Sequence, residues 1–217
     1  MFSVIILGGG SGERMGLGYN KVLYKIKGQT VIEHASKHFI EDPEFSEVII
    51  VANREDYDRI KVLFNQEKVK VIKGGQTRQE SVYQGLTKII KNTYVFIHDG
   101  ARPNLSKDKI NILKEEVQHY PVILYTKAKD SIVRYEKDKI INYLNRDQIA
   151  YIKTPQVFKL KEIVKAYELA KAHHREYSDD ASLYMGELNL SVKLIEDDDA
   201  NIKLTTKFDL NIMEDIL

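Results

Sequence analysis

A chain of 217 residues with 43% apolar content can bury one sizeable α/β core and still carry an appendage. Its formal net charge of +1 gives no broad pull toward nucleic acid or an anionic membrane, so any anion it binds must be held by local groups. It has no cysteine, which excludes disulfides, thiolate nucleophiles and cysteine-based zinc sites, and fits a reducing, cytoplasmic compartment.

The first predicted element is a strand. SVIIL (3–7) is short, β-branched and apolar on both faces, the texture of a strand inside a parallel sheet. It follows no basic leader and breaks at once into glycines, unlike a signal peptide, and no apolar run approaches membrane-spanning length. TVIEHASKHFI then sets Thr30 and Glu33 in capping-box spacing, with Val31, Ile32, Ala35 and Phe39 on one side, and predicts a helix. EVIIVA (47–52), VKVI (69–72), YVFIH (94–98) and PVILYT (121–126) repeat the strand texture. Between them, TRQESVYQGLTKII opens on Thr77 and Glu80 in the same spacing, and SKDKINILKEEVQ begins at a capping Ser106. The alternation predicts an α/β fold: a mostly parallel twisted sheet with helices on both faces.

The rhythm breaks after residue 126. DSIVRYEKDKIINYLNRDQIAYIKTPQVF holds two alternating runs around the polar tip EKDK and predicts a hairpin. Its apolar residues have little helix cover, so it is either an arm that packs on a second subunit or an ordinary edge hairpin. A helix is expected at about 159–172, a short one after Ser178, a strand near SVKLI and a last helix capped by Thr206. With no linker or repeat, residues 1–217 are expected to form a single domain, with the arm at 130–152 inside it.

Chemistry-bearing residues cluster after the strands. GGGSGERMGLGYNK (8–21) lacks the Gly-Lys-Ser/Thr of a Walker loop, and Met15 stands where the dinucleotide fingerprint needs its third glycine. A nicotinamide-dependent dehydrogenase is therefore disfavoured. Bare amides at Gly8, Gly9, Gly10 and Gly12, followed by Arg14 and Lys21, suit phosphate better than a plain strand-to-helix turn. GGQTRQESV (74–82), with Gly74, Gly75 and Ser81, reads by itself as a capped helix start in which Arg78 steadies the loop. In HDGARP (98–103), Asp99 stands at a strand's carboxyl end, where it could hold Mg²⁺. Arg102 is expected to pair with a carboxylate and His98 to be a satisfied core histidine. Ser131 and Thr154 are hydroxyl donors suited to a phosphate or polyol, and Lys203 lies in a strand-like segment, ANIKLTT. Asp179 and Asp180 read as helix-start carboxylates, and EDDDA (196–200) as a solvated acidic turn.

Taken in order, GGGSGERMG…NK, GGQTRQESVYQGL, HDGARP, KDSI, TPQVF, SDDASL and NIKLTT resemble the 2-C-methyl-D-erythritol 4-phosphate cytidylyltransferase family over nearly the whole chain. The resemblance implies a Rossmann-like nucleotidyltransferase core with a protruding β-arm that forms a homodimer. It implies that Gly8, Gly9, Gly10, Gly12, Arg14 and Lys21 cradle the phosphates of CTP, and that Gly74, Gly75 and Ser81 read cytosine. Asp99 would lie near a magnesium ion and the ribose-phosphate, and Arg102 matches the arginine of its motif. Ser131, Thr154 and Lys203 would line the sugar-phosphate pocket, with Arg146 reaching in from the partner's arm, and Arg14, Lys21 and Lys203 would carry the catalysis. The implied partners are small molecules, CTP and a sugar or polyol phosphate. Asn20 departs from the family's usual proline, which implies a less rigid loop; Ser131 replaces threonine, and Gly8 and Gly9 replace alanines. A ribitol-5-phosphate cytidylyltransferase and a non-catalytic nucleotide-binding protein are the alternative readings.

Overall fold

The computed structural model describes residues 1–10, 15–90 and 93–217. Strand β1 (Phe2–Leu7) leads through a turn of 3-10 helix (Lys21–Leu23) and a two-residue ribbon, β2 (Lys25–Ile26) and β3 (Gln29–Thr30), into α1 (Val31–Glu41). The capping box expected there forms in full: Thr30 Oγ1 accepts from the Glu33 amide and the Glu33 carboxylate accepts from the Thr30 amide. Next come β4 (Phe45–Ala52), a short α2 (Tyr57–Lys61), β5 (Val69–Lys73), α3 (Arg78–Leu86), β6 (Tyr94–Asp99), α4 (Lys107–Glu116) and β7 (Val122–Lys127). At α3, Thr77 caps the Glu80 amide, but Glu80 bonds the amide of Gln76, one residue earlier than a reciprocal box requires.

Seven strands form one sheet in the order β11-β7-β10-β6-β1-β4-β5, where β10 is Ala150–Lys159 and β11 is Lys193–Glu196. Every neighbouring pair is parallel except those of β10, which runs antiparallel to both β6 and β7. The other six strands therefore point the same way, and their carboxyl ends share one rim. The period of two is visible in the core. Val4 and Ile6 pack with Val48 and Ile50 on one face under α1, α4 and α7 (Lys207–Ile216). Ile5 packs with Ile49, Val95 and Ile97 on the other, under α3, α5 (Leu160–Ala172) and α6 (Asp180–Leu188). Both faces are covered, which is why these strands read as continuous apolar runs.

The expected hairpin is β8 (Ile132–Glu136) and β9 (Lys139–Leu144), a separate two-stranded sheet turning at Lys137 and Asp138, both at positive φ. Tyr135, Ile140, Ile141 and Tyr143 on it are exposed. The segment around Lys203 differs from expectation: 202–205 has no regular secondary structure and joins no sheet, and is tied instead by the Leu204 amide to the Ala101 carbonyl at 2.8 Å.

Candidate active site

The rim collects the loops after β1, β4, β5 and β6 around a cavity of about 320 Å³. Gly9, Gly10, Lys21, Gly75, Ser81, Asp99 and Lys203 all line it. Seven sequence-expected site residues thus meet in one cavity. Gly12 and Arg14 lie outside the described residues.

Gly8 stands behind this wall. Its amide donates to the Val51 carbonyl at 2.8 Å, and its carbonyl accepts from Asn20 Nδ2 at 2.7 Å. Asn20 also caps the turn that carries Lys21, its Oδ1 accepting from the Val22 amide at 3.2 Å. Where the family usually has a proline, a buried amide thus ties Gly8 to the turn that carries Lys21. Gly74 and Gly75 are tight spots. A Cβ at Gly74 would meet Ser81 Oγ at 2.7 Å, and one at Gly75 would meet Glu80 Cβ at 2.3 Å. Ser81 Oγ donates to the Thr77 carbonyl at 2.9 Å and accepts from the Gly75 amide at 3.1 Å, so its remaining capacity is that of an acceptor.

Asp99 ends β6. Burial raises its carboxyl, but Lys203, then Arg78 and Arg102, outweigh burial and hold it at about 2. Lys203 Nζ is 2.8 Å and Arg102 Nε 3.5 Å from Asp99 Oδ2, so Arg102 makes the carboxylate contact expected of it. Arg102 is buried behind the cavity wall, where its Nη1 donates to the Asn201 carbonyl at 3.0 Å. Behind Asp99 runs a relay of neutral groups. The Asp99 amide donates to Thr154 Oγ1 at 3.0 Å, Thr154 Oγ1 donates to His98 Nδ1 at 3.1 Å, and His98 Nε2 donates to the Arg102 carbonyl at 3.0 Å. The proton sits on Nε2 because a carbonyl can only accept. Burial pushes His98 down to about 4 against the pull of Asp99, as suits a satisfied core histidine. Thr154 is buried with its one proton committed to His98, so it supports Asp99 from behind and has no proton left to donate to a phosphate.

Thr154 reaches that place through a bulge. Ile152 pairs with Tyr125 and Gln156 with Ile123, so residues 153–155 oppose Leu124 alone. The acidic turn is likewise not all solvated. Asp198 and Asp199 are exposed, but Asp197 is buried and accepts from Asn201 Nδ2 at 2.8 Å, and the same amide donates to the Thr154 carbonyl at 3.0 Å. Asn201 thereby fixes the loop that delivers Lys203.

Arg78 is the main cavity residue whose partner sequence reasoning missed. Its guanidinium is held in a fork by Asp180 at 3.1 and 2.7 Å, and Tyr167 donates to the same carboxylate at 2.5 Å. Asp179 alone caps α6, reciprocally with Ser182. The only available signal was the adjacency of two aspartates, of which a helix needs one. Asn53, just past β4, also lines the cavity and could have been found from its strand-end position. Ser131 and Arg146 are not brought to the cavity. Both are exposed on the arm, where Arg146 Nη1 donates to the Lys129 carbonyl at 3.0 Å.

The donor set admits a cation held partly by its ligand. Among the described residues no group of three His, Asp or Glu side chains converges on one point. Asp99 is nevertheless an ionised carboxylate on the cavity wall, and magnesium is commonly held by one or two carboxylates plus substrate phosphates.

The family model for IspD, 2-C-methyl-D-erythritol 4-phosphate cytidylyltransferase, matches residues 2–217. The chain belongs to that family. The family's named relatives include the 2-C-methyl-D-erythritol 4-phosphate cytidylyltransferases of Halalkalibacterium halodurans, 34% identical over 221 residues, and Clostridioides difficile, 34% identical over 223 residues. Each alignment spans 100% of this chain, with 96% and 94% of the respective relative. Among solved structures, the IspD of Francisella tularensis superposes with a TM-score of 0.87 at 29% identity, covering 100% of this chain and 99% of that one. The 4-diphosphocytidyl-2C-methyl-D-erythritol synthase of Anaerococcus prevotii gives the same TM-score of 0.87 at 29% identity, covering 99% and 95%. No helix among the described residues is long and apolar enough to cross a membrane.

Proposed function

We propose that this chain transfers CMP from CTP to 2-C-methyl-D-erythritol 4-phosphate and releases pyrophosphate, a step in isoprenoid precursor synthesis. The observation that carries the reading at the level of residues is the convergence of Lys21, Lys203 and Asp99 with the bare backbone of Gly9 and Gly10 in one cavity. An oxygen of the substrate phosphate attacks the α-phosphorus of CTP. A new P–O bond forms, the bond to the β-phosphate bridging oxygen breaks, and pyrophosphate leaves with that electron pair. The attacking oxygen is already anionic at neutral pH, so no general base is required, and the task is to hold two anions together.

In this scheme Lys21, with Arg14, neutralises the triphosphate and the leaving pyrophosphate, while Lys203 neutralises the sugar-phosphate side. Gly9, Gly10 and Gly12 form the phosphate loop, and Gly8, expected to offer a bare amide, instead anchors its start because that amide is bonded to the Val51 carbonyl. Gly74, Gly75 and Ser81 take the base: Ser81 retains only acceptor capacity, which suits the exocyclic amine of cytosine and opposes the carbonyl of uracil. Asp99 and the phosphates hold Mg²⁺, which supplies further charge neutralisation when bound. Arg102 and Thr154 act from behind by fixing Asp99.

The chain works as one domain, residues 1–217, whose arm at 130–152 joins two copies and carries Ser131 and Arg146 to the partner's cavity. The exposed apolar residues of the arm support that reading. A cytoplasmic setting fits the cysteine-free composition. The deciding experiment is pyrophosphate release from CTP with methylerythritol 4-phosphate and ribitol 5-phosphate offered separately, with UTP as a control. The reading requires turnover with the first acceptor and CTP. Turnover only with ribitol phosphate, or none with either, would overturn it.

A further inference from the structure

We propose that Asn20 is a positioning residue for Lys21: its side-chain amide clamps the two ends of the glycine-rich loop and so fixes where the Lys21 ammonium stands. The inference rests on the cytidylyl-transfer reading and extends it to a residue outside the phosphate contacts.

Asn20 is 3% exposed, and both ends of its amide are used. Nδ2 donates to the Gly8 carbonyl at 2.7 Å and Oδ1 accepts from the Val22 amide at 3.2 Å. Its own carbonyl accepts from the Leu23 amide at 3.0 Å and starts the turn Lys21–Leu23. Gly8 is in turn anchored to β4 through the Val51 carbonyl. One side chain therefore connects sheet-anchored backbone to the turn that carries the cation, across a separation of 12 residues. The result is visible at Gly10, where an added Cβ would lie 3.9 Å from Lys21 Cε: the lysine stem runs alongside the glycine backbone.

Aspartate has no donor for the Gly8 carbonyl and would face it with a charge, and an aliphatic residue would leave that carbonyl and the Val22 amide unmatched in a buried place. A shift of about 1 Å in a positioned group can lower turnover by about a hundredfold, so the clamp acts on rate through Lys21.

The test is a double-mutant cycle on the full-length enzyme, with CTP affinity and melting temperature measured alongside kcat and both KM values. Asn20→Ala and Asn20→Asp should lower kcat by about ten- to a hundredfold and leave KM for the sugar phosphate unchanged. Asn20→Ala placed on Lys21→Ala should change kcat by less than about twofold, because the ammonium it positions is already gone. If Asn20→Ala does not fold, Asn20→Ser, which keeps an acceptor for Val22, should show the same pattern. Additive losses, a folded single variant within about twofold of wild type, or a rise in sugar-phosphate KM would overturn the clamp. A wild type that binds CTP but transfers nothing would instead sink the functional reading. The clamp would then be judged on CTP affinity, which Asn20→Ala should weaken about tenfold, again with no further loss on Lys21→Ala.

Discussion

Lys203 Nζ lies 2.8 Å from Asp99 Oδ2 on the wall of the cavity, so the cation that would meet the sugar phosphate is held by the carboxylate that would meet the metal. Lys203→Met should remove the strongest pull keeping Asp99 at about 2 and let it rise toward 3.8, while Arg78 and Arg102 limit the rise. Carbon-detected NMR titration of the Asp99 carboxyl reads this directly. The sign follows from the depressed value: the stability Asp99 contributes is present above 3.8 and lost as pH falls toward 2, and in the variant the loss begins at higher pH. Turnover per sugar phosphate bound should fall about a hundredfold, with CTP affinity little changed.

Arg78, Asp180 and Tyr167 tie the part of the cavity built by α3 to α6 and α5. Asp180→Ala leaves a guanidinium without its partner and should destabilise the fold by about 3 kcal/mol, the low end of the range for breaking a buried pair because the Arg78 side chain is 34% exposed. Tyr167→Phe should cost about 1.5 kcal/mol, and the two losses should be non-additive since they share one carboxylate. Urea unfolding of the two single variants and the double variant measures all three quantities.

His98 makes stability pH-dependent in a different window. Its value is about 4 in the fold against 6.5 when unfolded, so between those values the unfolded chain binds the extra proton. Stability should therefore fall as pH drops from 6.5 to 4 and level off below, by an amount of order 3 kcal/mol. His38, also lowered by burial, contributes in the same region, so the difference between wild type and His98→Gln isolates the His98 share. A difference that stays constant from pH 7 to 4 would show that His98 titrates normally.

The glycines of the site should respond oppositely to one methyl group. At Gly9 an added Cβ meets, among the described residues, nothing nearer than the Asn53 amide nitrogen at 3.7 Å, and the residue is not at positive φ. Gly9→Ala should stabilise the protein by about 0.5 kcal/mol through the unfolded chain. At Gly75 the methyl would lie 2.3 Å from Glu80 Cβ, so the backbone must move. Gly75→Ala should weaken CTP binding about tenfold, a cost typical of overpacking; urea unfolding reads the Gly9 gain and calorimetric titration with CTP the Gly75 loss.

The arm offers a test of assembly. Ile140 and Tyr143 stand exposed on β9, and on this reading a second copy covers them. Replacing both with lysine should shift sedimentation to the monomer and abolish sugar-phosphate use while CTP still binds, because Arg146 would no longer enter the partner's cavity. An unchanged sedimentation coefficient with full activity would remove the arm from the site.

What the sequence made legible follows from what each element buries. β1, β4 and β6 are covered on both faces, so their β-branched runs announced them, and Thr30, Ser106 and Thr206 marked helix starts by capping chemistry that is local. β10 was harder: Lys153, Thr154 and Gln156 are polar, and the bulge at 153–155 destroys the alternation a strand needs to be recognised. Asp179 and Asp180 look alike in sequence, and only tertiary contact separates the cap from the partner of Arg78. Asp197 read as solvated because no local pattern shows that Asn201 and Lys153 close over it.

One consequence of the β10 bulge reaches beyond the cavity. The same strand is bonded on one edge at Tyr151, through Thr126, and on both edges at Val157, through Val122 and Phe96. Its two halves are therefore anchored to different degrees, with Thr154 at the joint. Motion entering from the arm would be absorbed in the singly held half, leaving the doubly held half as a fixed datum for Asp99. Amide exchange along this single strand should grade accordingly, fast at Tyr151 and slow at Val157.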